Sequence, residues 1–366
     1  MRASSLDNPQ QRQTVLVTGA GGCIGSALVQ ALVSTDSHFL ILLDHSEQNL
    51  YEIDQSLHAH GHEAHISILG DILDESSLIE VFERYRPGTI YHAAAFKHVP
   101  LMESNPFAAV RNNAIGTWGL GKIAARFGAE SLLLISTDKA VNPRSVMGAS
   151  KRAAELALLS MPLSNTRMNV LRLGNVYGSR GSVVPLFQQQ IERGGPVTVT
   201  HPDASRYFVS MSETVALIRA ASVLRDSRSI FVPKLNTPVK ILDLARRMIR
   251  DASLENPRDI QIVFTGLRPG DKLVEELVFA HEVLEPTTVE NLQSVKSGDA
   301  DAQRLQDALG RLSECIKTRN LAGLLHELAV LVLEYKPSDT VLDLLNSLVA
   351  CENLDSQNRR HHDLSR

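Results

Sequence analysis

The sequence predicts an α/β fold: a doubly wound, parallel sheet followed by a smaller C-terminal domain and a helical tail. Three observations carry that expectation. Short apolar runs alternate with stretches of helical period through the first half of the chain. A glycine-rich turn joins the first of those runs to the first helical stretch. Past Pro286 the alternation stops, and residues 302–317, 321–334 and 340–348 carry apolar side chains at helical spacing.

The bulk properties remove several function classes. At 366 residues, 43% hydrophobic and 21% charged, the chain has ample material for a core and no bias toward disorder. A net charge of −4 offers no basic surface for nucleic acid or anionic lipid, so neither partner is expected. Three cysteines, Cys23, Cys315 and Cys351, are few and far apart, which implies no disulfide framework and suits a reducing cytoplasm. No window approaches the roughly eighteen uninterrupted apolar residues of a spanning helix. The polar start, MRASSLDNPQQRQ, lacks the apolar core of a signal peptide, and 1–12 and 351–366 are expected to be disordered.

In chain order, residues 14–18 read as a buried strand, followed by the turn Gly19-Ala-Gly-Gly-Cys-Ile-Gly25 and a helical stretch from 26 to 33. Gly19 permits the tight turn, Gly22 lets backbone N–H groups reach a pyrophosphate, and Gly25 lets the helix lie close to the sheet, with Cys23 and Ile24 opening that helix. The next strand, 39–43, ends in Asp44, nineteen residues after Gly25, where a ribose 2′-hydroxyl would be held. Asp44 would repel a 2′-phosphate and His45-Ser46-Glu47 offers no arginine, so NAD is expected rather than NADP. This is the signature of a Rossmann-type dinucleotide domain. Strands at 64–68, 89–93 and 132–135 alternate with helices at 75–85 and 108–127, and place Asp71, Ile72, Ala93 and Ala94 at the carboxyl edge beside the cofactor. Asn112 and Asn113 interrupt the long helix, either as solvated residues or as a brace for a loop. Histidines 58, 60, 62 and 65 have only one helical i, i+4 pair, His58–His62, and no nearby cysteine. They read as a solvated helix end, and no metal is expected.

The stretch Ser136–Lys151, STDKAVNPRSVMGASK, holds the chemistry. It sets a hydroxyl (Thr137), a carboxyl (Asp138) and an amine (Lys139) side by side at the end of a buried strand. It then sets Met147 and Lys151 four apart on one helical face. Such a group of donors and acceptors can move protons on a bound substrate.

TGAGGCIGS, YHAAAFKHVPLMESNP, STDKAVNPRSVMGASK, RLGNVYGSRGSVVPLF and GLRPGDKL occur in that order, and EYKPSDTVLDLL comes after them. Together they resemble the polysaccharide-biosynthesis branch of the extended short-chain dehydrogenases, whose members include UDP-N-acetylglucosamine 4,6-dehydratases. The resemblance implies a UDP-sugar substrate and a 4,6-dehydration. Oxidation at C4 acidifies C5–H, water leaves across C5 and C6, and the same hydride returns to C6. It further implies that Asp138 protonates the departing C6 oxygen, Lys139 removes the C5 proton, Thr137 binds the sugar O4 and Lys151 holds the nicotinamide ribose. The carboxyl's proton affinity is expected to be raised and the amine's lowered. Met147 stands where the superfamily has a catalytic tyrosine, and a thioether cannot do acid–base work. A 5-epimerising dehydratase, a 4-epimerase and an NAD-binding regulatory protein are the alternatives.

On the substrate side the resemblance implicates Lys97, His98 and Asn175, with Arg206 and Arg268 on Gly/Pro-punctuated loops suited to a diphosphate. The apolar run 182–187 is expected to form a wall for uracil. Asp271 and Val209 depart from the usual Glu and Met of relatives. The division expected is 13–170 for the NAD domain with returning segments within 171–235, 171–286 for substrate-binding elements, and 287–350 for accessory helices. Relatives assemble through helices matching 108–127 and 148–160, so a homo-oligomer, dimer or larger, is expected.

Overall fold

Val15, Val17, Leu40 and Leu42 point to one side of their strands and Leu16, Ile41 and Leu43 to the other, and all are buried. A strand apolar on both faces demands a helical layer on each, which is the doubly wound arrangement. The computed structural model describes residues 13–34, 38–162, 165–234, 237–255, 259–296 and 301–348, so the two ends expected to be disordered lie outside it.

The first half contains β1 (Gln13–Thr18), α1 (Cys23–Val33), β2 (His38–Asp44), α2 (Glu47–Ala59), β3 (His65–Leu69), α3 (Glu75–Tyr85) and β4 (Thr89–His92). It continues with α4 (Val99–Glu103), α5 (Pro106–Val110), a π-helical turn (Arg111–Gly116), α6 (Thr117–Arg126), β5 (Ser131–Thr137), α7 (Val146–Leu159) and β6 (Arg167–Leu173). Side chains cap several starts: Asp74 accepts from Ser77 N at α3 (3.1 Å), and Ser145 accepts from Gly148 N at α7 (3.1 Å). The second half adds β7 (Asn175–Val176), α8 (Val183–Glu192), β8 (Val197–Val199), β9 (Ser205–Arg206), β10 (Phe208–Val209), α9 (Met211–Val223) and β11 (Ile230–Pro233). Then come β12 (Val239–Lys240), α10 (Ile241–Glu255), β13 (Ile262–Phe264), β14 (Val283–Pro286), β15 (Leu292–Lys296), α11 (Ala302–Lys317) and α12 (Leu321–Leu331).

Nine strands form the main sheet in the order β14-β15-β11-β6-β5-β4-β1-β2-β3. From β3 to β11 every neighbour is parallel, while β15 pairs antiparallel with both β11 and β14. Strand order reverses at β1, so the carboxyl ends of β1 and β4 diverge and open a crevice. On one face lie Leu28, Leu32, Leu50, Ile53 and Ile218 of α1, α2 and α9; on the other lie Leu78, Phe82, Leu120, Ile123 and Leu158 of α3, α6 and α7.

The structure refines or corrects several expectations. The helix expected at 108–127 is present as one continuous run of α5, the π turn and α6, and the π turn falls where Asn112 and Asn113 face inward. The run 182–187 is the cap and first turns of α8; Phe187 is fully buried with Ile191, Val197 and Ile241, while Leu186 is 43% exposed. Residues 283–296, read as the junction between substrate elements and tail, form a hairpin on the main sheet; Val283 is 60% exposed, which left no apolar signal. Helix α2 ends at Ala59, so His58 and His62 are not a helical pair, and His62 and the His65 side chain are buried rather than solvated.

The tail helices, including residues 339–348, lie over α5 and α7. Leu309, Leu312, Leu324 and Leu328 pack with Val110, Ala149, Ala153 and Ala157, and Gln306 bridges Trp118 Nε1 (2.6 Å) and Ser160 Oγ (2.8 Å). The C-terminal segment thus covers much of α5 and α7. No helix among the described residues is long and apolar enough to cross a membrane.

Candidate active site

The glycine turn is built as its spacing requires. Gly19 has φ +68°, and a Cβ there would sit 2.7 Å from Ala94 N; at Gly25 a Cβ would sit 2.0 Å from Gly19 O. Gly21, which the three-residue spacing does not single out, is equally constrained, because a Cβ would meet the Asn49 backbone at 2.4 Å. Gly22 caps α1 with no side-chain acceptor, leaving the helix's first N–H groups for an anion. Asp44 is buried and accepts from Gly21 N (Oδ2, 2.9 Å) and Ser46 N (Oδ1, 2.9 Å), so it anchors the turn while each oxygen keeps a second lone pair.

A cavity of about 160 Å³ lies here, lined by Gly19, Gly22, Asp44, His45, Asp71, Ile72, Ala93 and Ala94 among others. Eight expected cofactor residues therefore meet in one groove. The uncapped helix start and the glycine cradle, which any Cβ would fill, fit a dinucleotide. Asp71 also accepts from Leu73 N (2.9 Å). The partly buried Ile24 side chain packs against the core, and Cys23 Sγ accepts from Arg180 N (3.2 Å). A larger cavity of about 860 Å³ opens at the opposite, amino-terminal edge of the sheet, and none of the expected site residues lines it.

At the end of β5, Thr137 Oγ1 and Lys139 Nζ both donate to Asp138 Oδ1, at 2.9 and 3.0 Å. Asp138 is completely buried, and its Oδ2 has no hydrogen-bond partner; Lys139 is 22% exposed and is the member of the pair that meets solvent. Lys139 Nζ also donates to Asn175 Oδ1 (3.0 Å) and lies 3.5 Å from Glu275 Oε1. Burial alone would push the Lys139 amine down, but the carboxylates of Asp138 and Glu275 more than offset it and raise it above the usual lysine range. The lowered affinity expected of this amine is therefore wrong for the free protein: a second carboxylate faces it. Glu275 was missed because the motif GLRPGDKL stops at Leu273.

Glu275 gathers three cations: Lys139, Lys272 (3.2 Å) and Arg206 (3.8 Å). Burial pushes its carboxyl up, but those charges win and hold it below the ordinary value. Arg206 is buried, with Nη1 donating to the carbonyls of Ser205 (2.8 Å) and Leu273 (3.2 Å). Arg268 is 58% exposed and paired with Asp271 (2.9 Å). The two arginines thus share no partner, one fixed in the floor and the other on the rim. Lys97 donates to Arg180 O (2.8 Å), and His98 abuts Gly181, its imidazole lowered by burial and by the nearby charges of Lys97 and Arg268.

Helix α7 supplies the rest. Lys151 is buried, donates to Ile135 O (2.7 Å), and is lowered to about 8 by burial, against the pull of Glu155. Met147 is 2% exposed within the apolar cluster under α7, so it fills core and offers no acid–base group. Asn113, buried in the π turn, holds the Phe96 backbone at N (2.8 Å) and O (3.0 Å) and donates to Ser150 Oγ (3.0 Å). It braces the loop leading to Lys97 and His98, the second of the two roles its position allowed. Behind α7, Arg172 is fully buried between Glu155 (2.9 Å) and Glu282 (2.7 Å), and Arg152 also pairs with Glu155 (2.8 Å).

Residues 15–297 match the family described as polysaccharide biosynthesis protein. The chain is 45% identical over 275 residues to the capsular polysaccharide biosynthesis protein CapD of Staphylococcus aureus, covering 74% of this chain and 46% of that one. It is 43% identical over 301 residues to the probable polysaccharide biosynthesis protein EpsC of Bacillus subtilis, covering 81% and 50%. The chain thus spans about half the length of these relatives. Among solved structures it is similar to Pen from Bacillus thuringiensis, with a TM-score of 0.73, 25% identity, and coverage of 83% of this chain and 98% of that one. With the match running through every strand of the parallel sheet and the loop at Asp138, the chain belongs to the polysaccharide biosynthesis protein family.

Proposed function

We propose that the chain is a nucleotide-sugar 4,6-dehydratase, converting UDP-N-acetylglucosamine to its 4-keto-6-deoxy derivative for a surface polysaccharide. The observation that carries the reading is the hydrogen-bonded Asp138–Lys139 pair at the carboxyl end of β5, beside the glycine cradle's sheet edge. Kinship with CapD and EpsC, both named for polysaccharide biosynthesis, supports the substrate class.

Gly19, Gly22, Asp44, Asp71, Ala93, Ala94 and Lys151 would hold NAD, which when bound supplies hydride removal at sugar C4 and its return at C6. Thr137 presents a hydroxyl to O4. Lys151, still largely protonated near neutral pH, adds positive charge that favours loss of the O4 proton, which passes to solvent through a water held by Thr137 and Lys151. With a ketone at C4, C5–H becomes acidic. The resting pair has its charges the wrong way round for the elimination, since Lys139 is held as an ammonium. A sugar that excludes water from Lys139 favours the neutral pair, and the 3.0 Å hydrogen bond is the path by which the proton crosses to Asp138. The free amine then takes the C5 proton, and the carboxylic acid protonates the departing O6, so water leaves. A proton returned at C5 completes the product. Met147 takes no part in these transfers.

Turnover of UDP-N-acetylglucosamine in deuterated water tests the proposal. Loss of water with deuterium at C5 supports it. Inverted C5 in the dehydrated product would make the chain the 5-epimerising form, simple C4 inversion would make it an epimerase, and absence of turnover across nucleotide sugars would remove the enzyme reading.

A further inference from the structure

Far from the catalytic edge, the end of α2 and the start of β3 bring three ligand-type atoms together. Asp54 and His58 lie one turn apart on α2, and His65 opens the edge strand of the sheet. His65 Nε2 is 3.2 Å from Asp54 Oδ1, and His58 Nε2 is 3.6 Å from Asp54 Oδ2. All three residues offer ligand atoms within 4.8 Å of one another. Ligands about 2.1 Å from a tetrahedral metal stand roughly 3.4 Å apart, close to the two spacings found here.

The surroundings are those of a held site. Ser67 Oγ donates to Asp54 Oδ1 and fixes the carboxylate. Glu63 Oε1 lies 3.5 Å from His58 Nδ1, on the far side of the ring from Asp54, where an acceptor orients a coordinating imidazole. The His65 side chain is 2% exposed, and its Nδ1 is buried without a hydrogen-bond partner, so this ring was buried for one bond to Asp54 alone. His58, at 46% exposure, leaves the site open to an entering ion and to water ligands. His60 turns away to the Ser56 carbonyl, and His62 stacks on His65.

We propose that Asp54, His58 and His65 form a two-histidine, one-carboxylate site for a divalent first-row transition metal, zinc foremost, which clamps the end of α2 to edge strand β3. Two imidazoles select zinc, nickel or copper over magnesium and calcium, which prefer oxygen. The clamp closes the short turn between helix and strand and lies away from the cofactor groove, so it acts on stability rather than on turnover.

The test is titration of Zn²⁺ into untagged, chelator-stripped full-length protein by calorimetry, with thermal melts alongside. One equivalent binding at micromolar affinity or tighter, with a raised melting temperature, is expected. His58→Ala keeps the Ser67–Asp54–His65 contacts, so it should melt like the stripped wild type while losing at least about tenfold in affinity, the scale on which support for a metal ligand is felt. The tail carries His361-His362, and the variant His361→Ala/His362→Ala should retain the equivalent site. No binding by the wild type, or unchanged affinity in His58→Ala, overturns the proposal. Dehydratase turnover enters none of these readouts.

Discussion

Replacing Arg172 with Met should destabilise the protein more than any surface change. Arg172 has no solvent exposure, and its guanidinium donates to Glu155 (Nε 3.0 Å, Nη2 2.9 Å), to Glu282 (Nη1 2.7 Å, Nη2 3.0 Å) and to Leu277 O (3.0 Å). Methionine fills most of the volume but leaves Glu282 with only the Phe279 N–H (2.9 Å) and Glu155 with Arg152 and Ser136. Removing one partner of a buried pair costs roughly 3–5 kcal/mol, because the remaining charge is stranded in low dielectric. Glu155 gives the effect a pH signature. Burial pushes its carboxyl up, but Arg172 and Arg152 more than offset that and hold it at about 2, below the ordinary 4.5. A carboxylate depressed in the folded state stabilises above its unfolded value, and that stability is lost as pH falls through the folded value. The wild type's advantage should therefore be full near neutral pH and shrink between about 4.5 and about 2. Urea denaturation of both proteins near neutral pH and near pH 3 measures it. Arg172→Met/Glu282→Gln should recover part of the loss, since the amide strands no charge. A loss under about 1 kcal/mol at neutral pH, or a gap that does not narrow in acid, would refute the reasoning.

Four further outcomes concern residues of the site. Turnover should fall as pH rises through about 8, where Lys151 loses its charge, and Lys151→Arg should abolish that limb; an unchanged limb in kcat removes Lys151 from the profile. The same shift makes the free protein gain stability between about 8 and 10.5, the window in which the unfolded chain binds the extra proton. Glu275→Gln takes a carboxylate from Lys139 and lowers the amine's proton affinity, which favours the neutral Asp138–Lys139 pair, so deuterium should enter C5 faster near neutral pH; an unchanged rate contradicts the placement of Glu275. Gly25→Ala sets a Cβ 2.0 Å from Gly19 O and should weaken dinucleotide binding at least about tenfold, or 1.4 kcal/mol, by titration. Wild-type affinity in that variant would mean the turn does not hold the cofactor.

The strands and the cofactor turn were legible because their signals are local. Val15 to Thr18, Gly19 and Gly25 are constrained by residues a few places away, and Asp44 falls at the distance one βα unit sets. The hydrogen-bonded pair of Asp138 and Lys139 was legible for the same reason, being adjacent in sequence. What failed depends on long-range meetings. Glu275 reaches Lys139 only because the chain returns after the small domain, and nothing around it in sequence marks it from Glu276. Met147 reads as a site position from its spacing to Lys151, and its 2% exposure follows from neighbours that this spacing does not name. The π turn carries Asn113, which binds the Phe96 backbone, a contact that helical periodicity cannot carry. The hairpin β14–β15 has exposed Val283 and Leu284, so only its pairing with β11 identifies it.

The central claim is that Asp138 and Lys139 together expel water from the sugar. Asp138→Asn and Lys139→Met remove one titratable group each while leaving the glycine turn untouched, so both variants should retain NAD binding. Measured with UDP-N-acetylglucosamine in deuterated water, each should release no 4-keto-6-deoxy product and place no deuterium at C5. Wild-type turnover in either variant, with NAD still bound, would contradict the claim.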